Sequence, residues 1–334
     1  FAYDQGVHYR GVVAGDPNSL VSISIFKDEV MGFISQSDGD LTIGRLDGDM
    51  EGTHILYRTS DMHESPTNVC GTADDGHGYT AEDLTPTGDN RTVKCVRLYW
   101  EVNYDIFQGK GSVTAATNYV TGLFNQSSTL YNNDGISVTL SQVYVWDVAS
   151  PYTSTSTSTL LDQFGTYRTS FNGDLANLLG YAGGGGIAWL NGLCNSQARY
   201  KMGYSGISSS YQTVPTYSWS VEVVTHEQGH LMGSKHTHAC AWNGNNTAID
   251  GCGPTAGYTE GTCATGPLPT GTGGTIMSYC HLVSGVGINF NNGFGAQPTT
   301  LIVNNINNAS CLTACSSGGT CGVPGGLSAG SLTT

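Results

Sequence analysis

The stretch HEQGHLMGSKHTH, residues 226–238, holds the side chains best suited to chemistry in this chain. His226 and His230 are four positions apart, which on an α-helix puts both imidazoles on one face, one turn apart. Glu227 lies beside them on the same turn. Gly233 can take the left-handed conformation that ends a helix without steric cost. The chain can then bend back and bring His236 toward the other two imidazoles. Three neutral imidazoles with one position left open make a catalytic zinc site rather than a closed structural one. Zinc so held lowers the pKa of bound water from about 15.7 toward ~7. Glu227, acidic and not needed as a ligand, is placed to act as general base and then to protonate the leaving amine. Two further histidines, His238 and His281, fit no ligand spacing and read as ordinary polar residues.

A His-rich surface helix would account for HExxH alone. It accounts poorly for the extended pattern HExxHxxGxxH, in which each specified position serves one zinc chemistry. That pattern resembles the metzincins, a clan of zinc endopeptidases. Downstream, TIMSYC resembles the Met-turn of the clan, with Met277 as the methionine that packs beneath the ligands. The resemblance also touches Tyr279, because the astacin and serralysin families carry a tyrosine two residues after that methionine. It implies a zinc contact at rest and oxyanion stabilisation in catalysis; a tyrosine simply packed under the site is the other reading. Reprolysins usually lack this tyrosine, so the chain mixes features of two branches.

The elements that must position these residues begin with strands. Residues 1 to about 62 read as an antiparallel β module: LVSISIF alternates Val21, Ile23 and Ile25 against serines, and VMGFIS, LTIGRL and THILYR follow across Asp/Gly turns. YRGVVAGDPNSLVSISIFKDEVMGFIS and THILYR resemble the propeptide of the adamalysin-like (reprolysin) branch. PTNVCG follows, and reprolysin propeptides end with a cysteine before glycine that blocks the zinc. The resemblance therefore makes Cys70 a fourth zinc ligand, with a Cys70–Cys95 disulfide as the competing reading. Residues 72–90 lack an apolar period and read as an exposed linker open to proteolytic processing.

From Arg91 the pattern becomes α/β. VKCVRLYWEV and ISVTLSQVYVW read as strands, and residues 112–131 as a helix. Residues 158–180 also read as helical, and RTSFNGDLANLL resembles a helix of the reprolysin catalytic domain. GGGGIAWLNGLC is a short strand behind a glycine run, with no GKS or GKT to support a phosphate loop. In metzincins the matching segment is an edge strand that pairs with an extended substrate, which makes Gly186, Ile187, Ala188 and Trp189 candidate substrate-binding residues. The metal-motif helix is expected to start near Ser218, and a last helix to run from about Pro298 to Asn307.

Ten cysteines suggest disulfides and an oxidising compartment, hence a secreted protein. By resemblance to reprolysins Cys194 pairs with Cys311. Among Cys240, Cys252, Cys263 and Cys280 the favoured pairs are Cys240–Cys280 and Cys252–Cys263, although four cysteines allow three pairings. Cys315 and Cys321 would close a small loop, and Cys95 would be a buried thiol. A formal charge of −14 argues against nucleic acid and anionic membranes as partners, and no stretch approaches the length of a membrane-spanning helix.

The expected architecture is thus an α/β metzincin catalytic domain (91–314) behind a mostly-β propeptide (1–71), a processing linker (72–90) and a C-terminal linker (315–334). The last of these faintly resembles the opening of a fibronectin-type module. The chain starts at Phe1 with neither an initiator methionine nor a signal-like segment, and reads as a processed fragment. The expected function is a monomeric zinc endopeptidase acting on proteins or peptides, with its own propeptide as inhibitor. A non-catalytic binding protein on the same scaffold would need loss of Glu227 or a ligand, and none is lost. The resemblance also admits calcium, although the acidic residue expected in the first strand is not evident.

Overall fold

The alternating strands of the N-terminal stretch form a five-stranded antiparallel sheet in sequential order. Its strands are β1 (Val7–Val13), β2 (Asp16–Ile25), β3 (Val30–Gln36), β4 (Gly39–Arg45) and β5 (His54–Arg58). The structure is a computed structural model that describes residues 5–46, 51–61, 67–208, 217–315 and 327–329.

A second sheet carries β6 (Val69–Cys70), β7 (Val96–Val102), β8 (Val138–Val145), β9 (Leu175–Gly180), β10 (Gly185–Ala188), β11 (Met202–Gly206) and β12 (Leu327–Ala329). Their order is β12-β8-β7-β9-β11-β10-β6. The pairs β7–β8, β7–β9 and β9–β11 are parallel, and β10 runs antiparallel to β11. Central β9 is buried at every position, as a parallel strand covered on both faces must be. The helices are α1 (Tyr104–Lys110), α2 (Val113–Asn133), α3 (Thr157–Tyr167), α4 (Tyr217–Leu231), the single turn α5 (Cys252–Thr255) and α6 (Ala296–Asn308).

The helix expected over 158–180 is two elements. α3 stops at Tyr167, and after a turn through Asn172 and Gly173 the run LANLLG becomes β9. Short apolar runs do not reveal their period, and here pairing with β7 and β11 decides.

The 21-residue helix α2 joins the two sheets. Ser112 caps it, its Oγ accepting from Ala115 N at 3.1 Å. Its contact with the N-terminal sheet is mostly polar. Ser22 and Ser24 are fully buried there, and Asn125 Nδ2 donates to their hydroxyls at 3.0 and 3.2 Å. Arg10 reaches Asn125 and Ser128. The apolar phase of β2 faces outward, leaving Ile25 exposed. Two apolar knobs break this pattern: Met31 fills the space left by the missing side chain of Gly122, and Phe33 packs edge-on against Phe290, with ring centroids 5.3 Å apart.

Residues 72–90, expected as an exposed linker, are exposed over most of their length but pinned at intervals. Lys235 Nζ, itself buried, donates to Asp74 Oδ1 at 2.6 Å and also to Asp75 and the His77 carbonyl. The Tyr79 hydroxyl donates to Gly233 O at 2.6 Å while its ring packs on Trp242. Thr87 Oγ1 donates to Asn304 Oδ1 on α6 at 2.9 Å.

The disulfides correct several expectations. Cys194–Cys311 forms as the resemblance implied. Cys240 pairs with Cys263 and Cys252 with Cys280, not the reverse. The chain after Cys252 folds back on itself, so that Cys240 N donates to Glu260 O at 2.9 Å, and this return brings Cys263 to Cys240. Cys95 is not a free thiol: it pairs with Cys315, drawn in by the bridge between Lys94 and Ala314. Cys321, the expected partner of Cys315, lies outside the described residues. Cys70 is free, so the Cys70–Cys95 disulfide does not form.

Candidate active site

Helix α4 presents His226 and His230 one turn apart, with ring centroids 4.7 Å apart. Gly233 ends the helix at φ +104°, where a side chain would be strained and would also strike Asn305. The turn brings His236 round, and the three Nε2 atoms stand 3.1 Å from one another in every pair. Each Nδ1 has its own acceptor: Ile276 O for His226 and Ser234 O for His230, both at 2.7 Å, and Glu260 Oε1 for His236 at 2.6 Å. Protonation at Nδ1 leaves three buried Nε2 lone pairs converging on one point. Burial holds all three imidazoles neutral, with His236 pushed down to about 3. Converging lone pairs of neutral rings repel unless a cation lies among them. Ligands about 2.0 Å from one tetrahedral centre stand roughly 3.3 Å apart, close to the spacing found here, so the residues fit zinc.

Glu227 is fully buried, and burial pushes its carboxyl up to about 8. Its Oε2 lies 3.4 Å from both Cys70 Sγ and Thr72 Oγ1, and its Oε1 has no hydrogen-bond partner among the described residues. The same sulfur lies 3.4 Å from His230 Nε2. Burial and the Glu227 carboxylate push the Cys70 thiol up, and a cation among the imidazoles would act in the opposite direction.

Cys70 is held there by strand pairing. β6 runs parallel to β10, with Val69 opposite Gly185 and Cys70 opposite Gly186, and Gly71 N donates to Gly186 O at 2.7 Å. Thr72 extends the contact, its hydroxyl accepting from Ala188 N at 2.9 Å. Gly186, Ile187 and Ala188 therefore border the 69–72 segment. The Trp189 ring packs edge-on against Tyr200 at 4.8 Å. A Cβ on Gly186 would collide with the Glu227 carboxylate, so glycine is what lets strand and helix approach.

Met277 is fully buried beneath α4, where a Cβ on Gly229 would meet its sulfur at 2.8 Å. Two residues on, the Tyr279 hydroxyl donates to Cys70 O at 2.7 Å, and its ring lies 4.8 Å from that of His236. Burial pushes this phenol well above its usual range.

His238 and His281, expected as ordinary polar residues, are both buried beside the site. His238 stacks on His236 with ring centroids 5.2 Å apart. His281 pairs through Nδ1 with Glu222 Oε1 at 3.0 Å; burial lowers its pKa but Glu222 raises it on balance. Glu260, Glu222 and Lys235 were invisible to motif spacing. Glu260 lies 24 positions beyond His236 in a Gly/Thr-rich stretch, and only its acidity marked it out. In β7, Glu101 is an acid that the sequence reading did not single out; it is enclosed by Arg168, Tyr99, Trp146 and Tyr152, with Arg168 Nε at 2.6 Å, and serves a buried ion pair.

No curated protein matches the chain. The crystal structure of metalloproteinase-II from Bacteroides fragilis resembles it at a TM-score of 0.42 and 11% identity, over 73% of this chain and 81% of that one. The model of the reprolysin-type metallo-peptidases of family M12 matches residues 92–286, which is more than half of the chain and includes the three histidines, Glu227 and Met277. The chain belongs to that family, the reprolysin-like M12 metallopeptidases, and is a zinc metalloendopeptidase.

Proposed function

We propose that this zinc endopeptidase is secreted as a latent precursor, with residues 1–71 as propeptide and residues 91–314 as catalytic domain. His226, His230 and His236 hold the zinc, Cys70 takes the fourth position, and 72–90 is where processing cuts. Residues 315–334 then follow as a C-terminal linker. The observation that carries the reading is the placement of the Cys70 sulfur, 3.4 Å from both His230 Nε2 and Glu227 Oε2. A thiolate there excludes the water that hydrolysis needs, and the 69–72 segment fills the edge of β10 where a substrate strand would pair.

When bound, zinc supplies Lewis acidity and an acidified water. Glu227, beside the ligands on the same helix, takes a proton and returns it to the leaving amine. With β6 gone, the Tyr279 hydroxyl loses its acceptor on Cys70 and is free to donate to the developing oxyanion. Met277 forms the floor of the site, in the position of a Met-turn. Gly186, Ile187 and Ala188 offer backbone groups to an extended peptide. Trp189, next along the chain, is the fourth candidate contact for that peptide.

Four disulfides support secretion. The net charge of −14 supports a monomer without nucleic-acid partners. Calcium has little support, since Glu101 is fully engaged by protein groups.

The deciding experiment measures zinc content and cleavage of a peptide library, with and without a chelator, before and after limited proteolysis in 72–90. Stoichiometric zinc with activity only after the cut is expected. An intact chain as active as the nicked one would overturn latency, and a zinc-free active enzyme would overturn the metal assignment. Glu227→Gln separates the roles further: it should keep zinc and lose about 10²–10⁴ in turnover.

A further inference from the structure

The third histidine of the site is held differently from the other two. His226 donates to the carbonyl of Ile276, just before Met277, and His230 to that of Ser234, just past the end of α4. His236 donates to a side chain, the Glu260 carboxylate, at 2.6 Å. We propose that Glu260 is a positioning residue for His236 and that the Cys240–Cys263 disulfide delivers it, so that zinc affinity depends on an otherwise exposed loop. This rests on the zinc reading above and names a residue that the HExxHxxGxxH pattern does not contain.

The loop has no core of its own. Gly257, Tyr258, Thr259, Gly261 and Thr262 are exposed, yet the Glu260 side chain is only 16% exposed because it turns inward. Three features hold it in that direction. Cys240 N donates to Glu260 O at 2.9 Å, Gly261 sits at φ +81° against Cys240 Cβ, and the disulfide closes the return two residues later. All three fasten Glu260 to Cys240, four residues beyond His236, whose own carbonyl accepts from Trp242 Nε1 at 2.7 Å. Ligand and orienting carboxylate are therefore tied to one short stretch of chain. Tyr258, on the same loop, packs edge-on against Tyr279 with centroids 5.4 Å apart, so the loop also borders the phenol.

Besides His236, the charge of Glu260 feels His238 close by and Lys235 and Asp74 from further off. Among the described residues no lysine or arginine lies within ion-pair distance of it, and His238 Nε2 stands 3.8 Å away. A carboxylate on the far nitrogen of an imidazole fixes the tautomer and ring plane and makes the near nitrogen a stronger donor to a metal. Loss of such a partner typically costs about 10–100-fold in metal affinity.

The test uses the full chain, stripped of metal, with zinc affinity measured by competition against a chromophoric chelator. Cobalt absorption spectra report the ligand field, and thermal unfolding of the metal-free chain reports the fold. Glu260→Ala should weaken zinc by about 10–100-fold and shift the cobalt bands. Glu260→Gln keeps an acceptor oxygen and should lose less, with metal-free stability unchanged. Replacing both Cys240 and Cys263 by serine should reproduce the alanine result. Wild-type zinc affinity and cobalt bands in both Glu260 variants would overturn the proposal. So would weakening that simply tracks lost metal-free stability in Glu260→Gln. Should the wild-type chain itself fail to take up zinc, or His226→Ala bind it equally well, the zinc reading fails instead.

Discussion

The sulfur of Cys70 and the carboxylate of Glu227 lie 3.4 Å apart, on segments 157 residues distant in sequence. One is the group proposed to silence the enzyme, the other the group proposed to run it, and they meet at the same corner of the metal site. Cys70→Ala removes the sulfur while keeping the strand pairing with β10. The uncut variant should therefore hydrolyse peptides about tenfold faster than the uncut wild type or better, the return for roughly 1.4 kcal/mol of lost blocking contact. An uncut variant as inert as wild type would leave the strand, not the sulfur, as the block.

Tyr279 donates to the Cys70 carbonyl in the intact chain, so its hydroxyl is already aimed into the site. In the processed enzyme Tyr279→Phe should lower kcat more than it raises KM. Oxyanion donors are worth about 2.7–4 kcal/mol, which bounds the loss. Steady-state kinetics with unchanged kcat would reduce Tyr279 to packing against His236 and His238.

Gly186 touches Glu227 where a side chain cannot fit. Gly186→Ala should keep zinc, because no ligand moves, but displace the carboxylate and cost up to about 10²–10⁴ in turnover. Metal analysis beside kinetics checks this; full activity in the variant would mean that β10 and α4 can separate freely.

Asp40 joins the N-terminal sheet to the catalytic unit, accepting from Phe290 N at 3.1 Å and from Ser35. Burial, helped by Glu222, pushes its carboxyl up to about 7 from 3.8, against the pull of those two hydrogen bonds. The folded chain thus holds this proton more tightly than the unfolded one. Raising the pH from 3.8 toward 7 progressively costs stability at this contact, and above 7 the carboxylate is buried as an anion. After a nick, the N-terminal module should dissociate faster at about pH 8 than at about pH 5.5, and Asp40→Asn should flatten the difference. Size-exclusion chromatography of nicked protein at the two pH values reads it; equal retention would remove Asp40 from the release step.

What could be read in the sequence was local. HExxHxxGxxH specifies a helix face, a left-handed exit and a third ligand within eleven residues, and the structure brings His226, His230 and His236 together as that spacing requires. The glycine run before Ile187 likewise marked a strand, though not an edge one: β6 takes its outer side. Non-local features did not show. Glu260 reaches His236 through a disulfide whose pairing the sequence left open among three choices. LANLLG carries no period that separates strand from helix, so the sheet decided. In β2 the alternation was plain, but not that the serines would face the protein and Ile25 the solvent, because the partner surface around Asn125 comes from a helix a hundred residues away.

Lys235 stands inside the metal motif, between His230 and His236, and its buried ammonium is answered by Asp74 and Asp75 on the segment just after Cys70. A buried ammonium is costly to leave unanswered, even though Asp75 itself is half exposed. A cut beyond Asp75 leaves both aspartates on the outgoing piece, still gripping the catalytic loop. On the proposed reading, severing the chain and opening the site are two clocks in series. The second runs at the off-rate of a fragment that has stopped being part of the molecule without yet leaving it. A nicked population would then gain activity after a lag, its length set by a lysine that takes no part in hydrolysis.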